Sequence, residues 1–171
     1  MMPDNQIKRP GHGISLIVAM FIGGIFIASI YLHPVQHYQR AQCREALRLL
    51  GNAIQIYGGE HQGQLPRQLT LLSNELSNPA FLVCPGSGHK PGSYADAEIW
   101  KDYQMIDWFL VFGTNAVPGN YPIAYDRFMK NHGGEGANVF TVDGFVRWDL
   151  HAGGLKRFSI EHPDVHLILP E

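Results

Sequence analysis

The longest apolar run of the chain is ISLIVAMFIGGIFIASIYL, from Ile14 to Leu32, and it contains no charged residue. A helix of this length is about 28 Å long, close to the thickness of the hydrocarbon core of a bilayer. A secretory signal has a shorter apolar region, of about 7 to 15 residues. The pattern therefore predicts a transmembrane helix over residues 14–33, preceded by a cytoplasmic leader of residues 1–13.

Apolar residues continue from Val35 to Tyr57 at spacings of three and four. This spacing is typical of a helix that buries one face. Gly58 and Gly59 favour an end to the helix, because glycine readily adopts the backbone angles of a helix C-terminus. We predict a stalk helix over residues 34–57, followed by a loop-rich β region over residues 58–171.

The clearest β pattern is ANVFTVDGFVRW, from Ala137 to Trp148. It predicts a hairpin whose Asp143-Gly144 pair suits the two positive φ angles of a type I′ turn. In the resulting register, one face of the hairpin would hold Val139, Thr141, Val146 and Trp148. Asp107 to Phe112 is a further short apolar run, and Val165 to Leu169 predicts a last strand or an extended tail.

Together these elements predict an α+β fold, in which a long N-terminal transmembrane-plus-stalk helix packs against a small antiparallel sheet. Gly and Pro make up 30 of 171 residues, which favours a loop-rich domain over a helical bundle. The 13 Lys and Arg against 15 Asp and Glu leave no basic excess for a phosphate backbone, so nucleic acid is not an expected partner.

Nine histidines raise the question of a metal, with His33 and His37 spaced i, i+4. Zinc needs three or four convergent ligands, and the sequence has no HExxH or paired-cysteine pattern. A calcium site that uses Asp143 or Asp149 is a second alternative, but its oxygen ligands are not recognisable in order. We therefore expect no metal and no cofactor.

Catalytic patterns are weak. Ser87 stands in PGSGH, which resembles a nucleophile sequence only superficially, and no phosphate loop or dinucleotide-binding pattern occurs. A triad of His132, Asp143 and a serine can be drawn, but turn chemistry explains Asp143, and a hydrogen bond that fixes the Gly133 to Gly136 loop explains His132. We expect that the chain is not an enzyme.

Three stretches resemble the pseudopilin-like proteins, relatives of type IV pilins and of the pseudopilins of type II secretion. They are CREALRLLGNAIQIYGGEHQGQLP at 43–66, FLVCP at 81–85 and PIAYDRFMKNHGGEGANVFTVDGFVRW at 122–148. His132, Asp143 and Gly144 stand in the order of the family's His-to-Asp-Gly motif, and Gly13 followed by Ile14 stands at its leader-processing site. Val18 departs from the family, which has Glu there, and Phe145 replaces a common His.

The resemblance implies a membrane-anchored, non-catalytic structural protein that acts by assembly or docking. Its partners would be membrane lipid and other membrane or pilin-like subunits, bound through residues 14–32 and the extracytoplasmic face. The alternative is an accessory subunit of a larger integral membrane complex that uses a pilin-like fold and retains its leader, and Val18 favours this alternative.

The resemblance also places cysteines at Cys43 and Cys84, which implies a disulfide. Both follow the predicted span and therefore share a compartment, and the alternative is two free thiols in a reducing one. Positive residues on both sides of the span leave its orientation undecided by charge. The short leader and the cysteines favour a single-pass protein of the bacterial inner membrane, with its N-terminus in the cytoplasm and residues 34–171 in the periplasm.

Overall fold

The computed structural model describes residues 12–106 and 117–171. The structure is α+β, with helices α1 (His12–Glu60), α2 (Ala97–Trp100) and α3 (Gly153–Glu161) and strands β1 (Tyr103–Met105), β2 (Pro122–Asp126), β3 (Gly136–Thr141) and β4 (Val146–Leu150). Short 3-10 helices lie at Leu69–Leu72, Pro79–Leu82, Tyr94–Asp96 and Met129–His132. The chain divides into two compact units, Met1–Val35 and Gln36–Glu171.

In the first unit, the large apolar side chains described in α1 are exposed. Val18, Met20, Phe21, Ile22, Ile25 and Ile27 are each more than half exposed. At 3.6 residues per turn, these six positions fall on two opposite sides of the helix, and the described positions between them are Ala19, Gly23 and Gly24. This part of α1 therefore has no polar face.

The structure corrects the prediction of a transmembrane helix. Among the described residues, no helix is both long enough and apolar enough to cross a membrane. The fold prediction of a transmembrane-plus-stalk helix is therefore contradicted.

In the second unit, α1 buries one face. Cys43, Leu47, Leu50 and Ile54 are fully buried and recur at spacings of three and four. Tyr38, which the sequence pattern assigns to the same face, is 65% exposed. The buried face thus begins near Cys43, where α1 meets side chains of the loops and of the sheet.

The four strands form an antiparallel sheet in the order β1-β2-β3-β4, and both of its faces are covered. Tyr103, Ala124 and Phe140 belong to the same core cluster as the buried residues of α1. Tyr125 and Val139 belong to a second cluster with Leu155 of α3. Because successive residues of a strand point to opposite faces, β2 and β3 contribute to both clusters.

Strands β3 and β4 form the predicted hairpin, but the predicted turn is wrong. Gly144 is the one turn residue with a positive φ, of 87°. Its N–H donates to the Thr141 carbonyl, and the Thr141 N–H donates to the Phe145 carbonyl. The loop therefore has three residues, a type I turn that ends in a left-handed glycine, because only the glycine adopts positive φ without steric cost.

The three-residue loop shifts the register by one residue. Phe140 pairs with Val146, and Asn138 pairs with Trp148. Val146 and Trp148 consequently share a face with Phe140, whereas the type I′ register placed them with Val139. Two further β segments were predicted. The first, residues 107–112, lies outside the described part of the chain. The second, residues 165–169, forms no strand.

Candidate functional site

A disulfide joins Cys43 of α1 to Cys84, the last residue of the FLVC stretch, with a Cα–Cα distance of 5.0 Å. Both cysteines are buried. The Tyr103 hydroxyl donates a 3.2 Å hydrogen bond to the Cys43 carbonyl. The bridge therefore ties α1 to the loop that follows the 3-10 helix Pro79–Leu82.

A buried histidine–aspartate pair lies beside this bridge. His132 Nε2 is 2.9 Å from Asp126 Oδ2, and both side chains are at most 2% exposed. The same carboxylate oxygen accepts hydrogen bonds from the backbone and side-chain nitrogens of Asn138, at 2.6 and 2.8 Å. His132 Nε2 is also 4.0 Å from Cys84 Sγ. Three loop and strand segments thus converge on the cystine.

Two polar atoms of this cluster lack hydrogen-bond partners within the described structure, His132 Nδ1 and Asp126 Oδ1. Buried polar atoms without a partner are uncommon, because each has given up its water without compensation. The Sγ atoms of Cys43 and Cys84 and one ring nitrogen of His132 all lie within 4.8 Å of one another. The cluster therefore groups two sulfur atoms and an imidazole in one buried site, with the Asp126 carboxylate against the imidazole.

Aromatic and cationic side chains flank the cluster. The rings of His132 and Trp148 meet edge to face at 5.7 Å, and the Arg40 guanidinium lies 3.5 Å from the centre of the Trp148 ring. Burial lowers the pKa of Arg40 below its ordinary value, against the opposing effect of Glu135. Arg40 and Trp148 line a pocket of about 220 Å³, together with His37, Ala41, Arg44, Asn138 and Val146.

A second polar cluster surrounds Asp102, which is fully buried. Its carboxylate accepts hydrogen bonds from the Cys84 backbone at 2.8 Å, the Ser87 hydroxyl at 2.6 Å and His89 Nδ1 at 2.7 Å. In a hydrolytic triad the serine hydroxyl donates to the histidine, which in turn is held by the acid. Here both Ser87 and His89 bond to the carboxylate, so the arrangement fixes the 84–89 loop rather than activating the serine.

Asp143 and His132 do not form the triad that the sequence allows on paper. Asp143 accepts hydrogen bonds from the Thr141 hydroxyl and from Arg147, the latter at 2.9 Å. The Thr141 hydroxyl is the main reason that the pKa of Asp143 lies below its ordinary value. His132 bonds to Asp126, where the sequence suggested the Gly133 to Gly136 loop. Asp143 and His132 therefore act in separate clusters.

The structure also locates the candidate calcium ligand and the candidate processing site. Asp149, considered for calcium, accepts hydrogen bonds from the backbones of Gly154 and Leu155, both at 2.8 Å. It therefore supplies acceptors to otherwise unpaired N–H groups in the first turn of α3. Gly13 and Ile14, the candidate processing site, lie in the first turn of α1.

Sequence reasoning missed Asp126 and Asp102. Asp126 ends the apolar strand PIAYD, and Asp102 precedes β1 in WKDYQM. A single acid at the end of a buried strand is a usable signal, because a buried carboxylate requires partners. The sequence could not identify those partners, since Asn138 reaches Asp126 through the pairing of β2 with β3, and His132 reaches it from the 3-10 helix between those strands.

The chain matches no family model, and the searches of curated proteins and of solved structures find no significant match.

Proposed function

We propose that this chain is a pseudopilin-like structural subunit that acts by assembly and not by catalysis. The observation that carries the proposal is the apolar stretch of α1 at residues 18–27, which has large exposed side chains on two opposite sides and no polar residue between them. A helix that is apolar on all sides is normally buried in a larger apolar environment. The resemblance to pseudopilins suggests that environment, namely the helices of other pilin-like subunits.

The second unit supports a structural role. Its cystine, its His132–Asp126 pair and its Asp102 cluster all join separate segments of the chain. The Ser87–Asp102–His89 group has the residue types of a triad but not its order of hydrogen bonds. These contacts are typical of a rigid domain, which could dock onto other subunits as a unit.

Assembly with a different subunit is the alternative, and Val18 favours it. The pilin family has Glu at this position, which is thought to pair with the terminal amine of a neighbouring copy. Val18 offers no charge and is 51% exposed. N-terminal sequencing of the native protein separates the two cases: a chain that starts at Ile14 supports a processed pilin-like subunit, and a retained leader supports an accessory subunit.

The test of assembly compares two isoleucine-to-arginine variants of the full chain. Ile22 is 61% exposed in the apolar stretch, and Ile160 is 79% exposed on α3. We expect crosslinking and sedimentation in mild detergent to detect oligomers of the wild type and of Ile160→Arg, and a shift towards monomer for Ile22→Arg. Equal assembly of all three proteins, or a wild type that is monomeric and co-purifies with no other subunit, would contradict the proposal.

A further inference from the structure

The cystine and His132 place three metal-ligand atoms in one buried cluster. We infer that the chain, once the Cys43–Cys84 bridge is reduced, binds a zinc-type divalent ion through Cys43, Cys84, His132 and Asp126. The Sγ atoms and a His132 ring nitrogen already lie within 4.8 Å of one another. Thiolate and imidazole together are the ligands that zinc prefers in structural sites.

The required movements are small. In a tetrahedral zinc site with Zn–S of about 2.3 Å and Zn–N of about 2.0 Å, the sulfur and nitrogen atoms are about 3.5 Å apart and the two sulfurs about 3.8 Å apart. Cys84 Sγ and His132 Nε2 are 4.0 Å apart in the disulfide form. Once the covalent bond is gone, rotation of the two cysteine side chains suffices to bring the sulfurs to the tetrahedral spacing.

Asp126 supplies the fourth ligand. Its Oδ1 has no hydrogen-bond partner, and its Oδ2 lies 2.9 Å from His132 Nε2. When Nε2 binds the metal, the imidazole proton resides on Nδ1, and the carboxylate changes from hydrogen-bond acceptor to ligand. Asn138 keeps its two hydrogen bonds to Oδ2 and orients the carboxylate, in the manner of an outer-shell partner.

The chemistry balances with a dithiol as the reductant. The dithiol gives two electrons and two protons to the cystine, which becomes two thiols, and is itself oxidised to a disulfide. The divalent ion then displaces one proton from each thiol.

Burial indicates the type of site. Cys43, Cys84 and His132 are all buried, at 0%, 1% and 3% exposure. A site with four protein ligands and no access for substrate is structural and not catalytic. The ion would replace the covalent link between α1 and the 84–89 loop by a coordinate link, so that the domain keeps this connection in a reducing environment.

The experiment uses the full chain, reduced under a small dithiol without oxygen, and Co²⁺ as the probe. We expect a thiolate-to-cobalt charge-transfer band and tetrahedral d–d bands that saturate at one ion per chain and are lost when Zn²⁺ is added. The oxidised chain should give neither band. His132→Gln and Asp126→Asn should each weaken Zn²⁺ binding by more than about tenfold, whereas the exposed His166→Gln should not.

Three results would overturn the inference. The first is the absence of a charge-transfer band in the reduced chain. The second is equal Zn²⁺ affinity for His132→Gln and His166→Gln, which would indicate thiol binding without the site. The third is a reduced chain that loses its near-UV circular dichroism and does not regain it with Zn²⁺. None of these readouts depends on assembly, so the result is independent of the proposed function.

Discussion

The ring of Phe140 lies directly against Gly51 of α1. A Cβ atom built on Gly51 would overlap Cε2 of that ring, closer than non-bonded carbon atoms approach one another. Phe140 is fully buried and belongs to the larger core cluster. The separation between helix and sheet is therefore set at this point by an aromatic ring that occupies the space of an absent side chain.

Gly51→Ala should destabilise the domain. The added methyl group forces Phe140 or α1 to move, and overpacking of this kind costs about 1 to 3 kcal/mol of unfolding free energy. Gly59→Ala is the matched control, because a Cβ on Gly59 meets no atom within 4 Å. Helix propensity predicts a gain of up to about 1 kcal/mol for this control. Chemical denaturation of both variants measures the difference, and equal stability would show that the contact between ring and helix yields easily.

Substitutions at Gly144 should follow the cost of a positive φ. The residue has a φ of 87°, which asparagine tolerates better than alanine and which β-branched valine tolerates least. We expect Gly144→Val to lose about 1 to 3 kcal/mol, with Gly144→Ala between it and Gly144→Asn. Thermal melts of the three variants test this order. A loss that tracks side-chain volume alone would point instead to contact with Gln55, which lies 3.4 Å from a Cβ at this position.

Asp102→Ala should loosen the loop that follows the cystine. The substitution leaves the buried Cys84 N–H without its acceptor, which costs about 1 to 3 kcal/mol. Asp164→Ala, at an exposed position, serves as the control and should lie within about 0.5 kcal/mol of wild type. Hydrogen exchange should accelerate at residues 84–89 in Asp102→Ala. If it stays unchanged there, the carboxylate does not hold the loop.

Acid should remove the stabilisation that Asp143 provides. Its pKa is lower in the folded chain than its ordinary value, chiefly because of the Thr141 hydroxyl and further because of the Phe145 backbone and Arg147. A carboxyl of this kind adds stability above its unfolded pKa of about 4 and loses it as the pH falls through the folded pKa. Asp143→Asn should therefore be less stable than wild type at neutral pH, and the two should converge in acid.

Melting temperatures recorded between about pH 7 and pH 2 measure this convergence. The exposed Asp164→Asn should show no such trend. A constant difference between Asp143→Asn and wild type across the range would mean that the turn is stabilised by the shape of the side chain and not by its charge.

The antiparallel sheet could be predicted in part. Alternation of apolar residues and the Asp143-Gly144 pair located the hairpin, because both are local features of the sequence. The register could not be predicted, since two-residue and three-residue loops both accommodate an Asp-Gly pair. The choice depends on contacts of Phe140 with α1 and of Val146 with the same core, which are distant in sequence.

The sequence identified several residues of the candidate site but not the contacts between them. Cys43, Cys84 and His132 were identified through a resemblance, and the structure brings all three together. His132 was expected to bond to the Gly133 to Gly136 loop, but it bonds to Asp126, the last residue of β2. Spacing along the chain cannot identify this partner, since the contact depends on how the segment between β2 and β3, with its 3-10 helix Met129–His132, folds.

The position of the bridge determines how tension would travel through the domain. Cys43 lies at the beginning of the buried face of α1, and Cys84 lies 41 residues further along the chain. A pull on the N-terminal end of α1 against the C-terminus would therefore pass through the covalent bond to Cys84. Residues 44–83 would bear no load. The bridge would therefore shorten the extended length of the unfolded chain by about 140 Å. Under such a pull the sheet and the C-terminal tail, which follow Cys84, would extend, while residues 44–83 would stay within the closed loop.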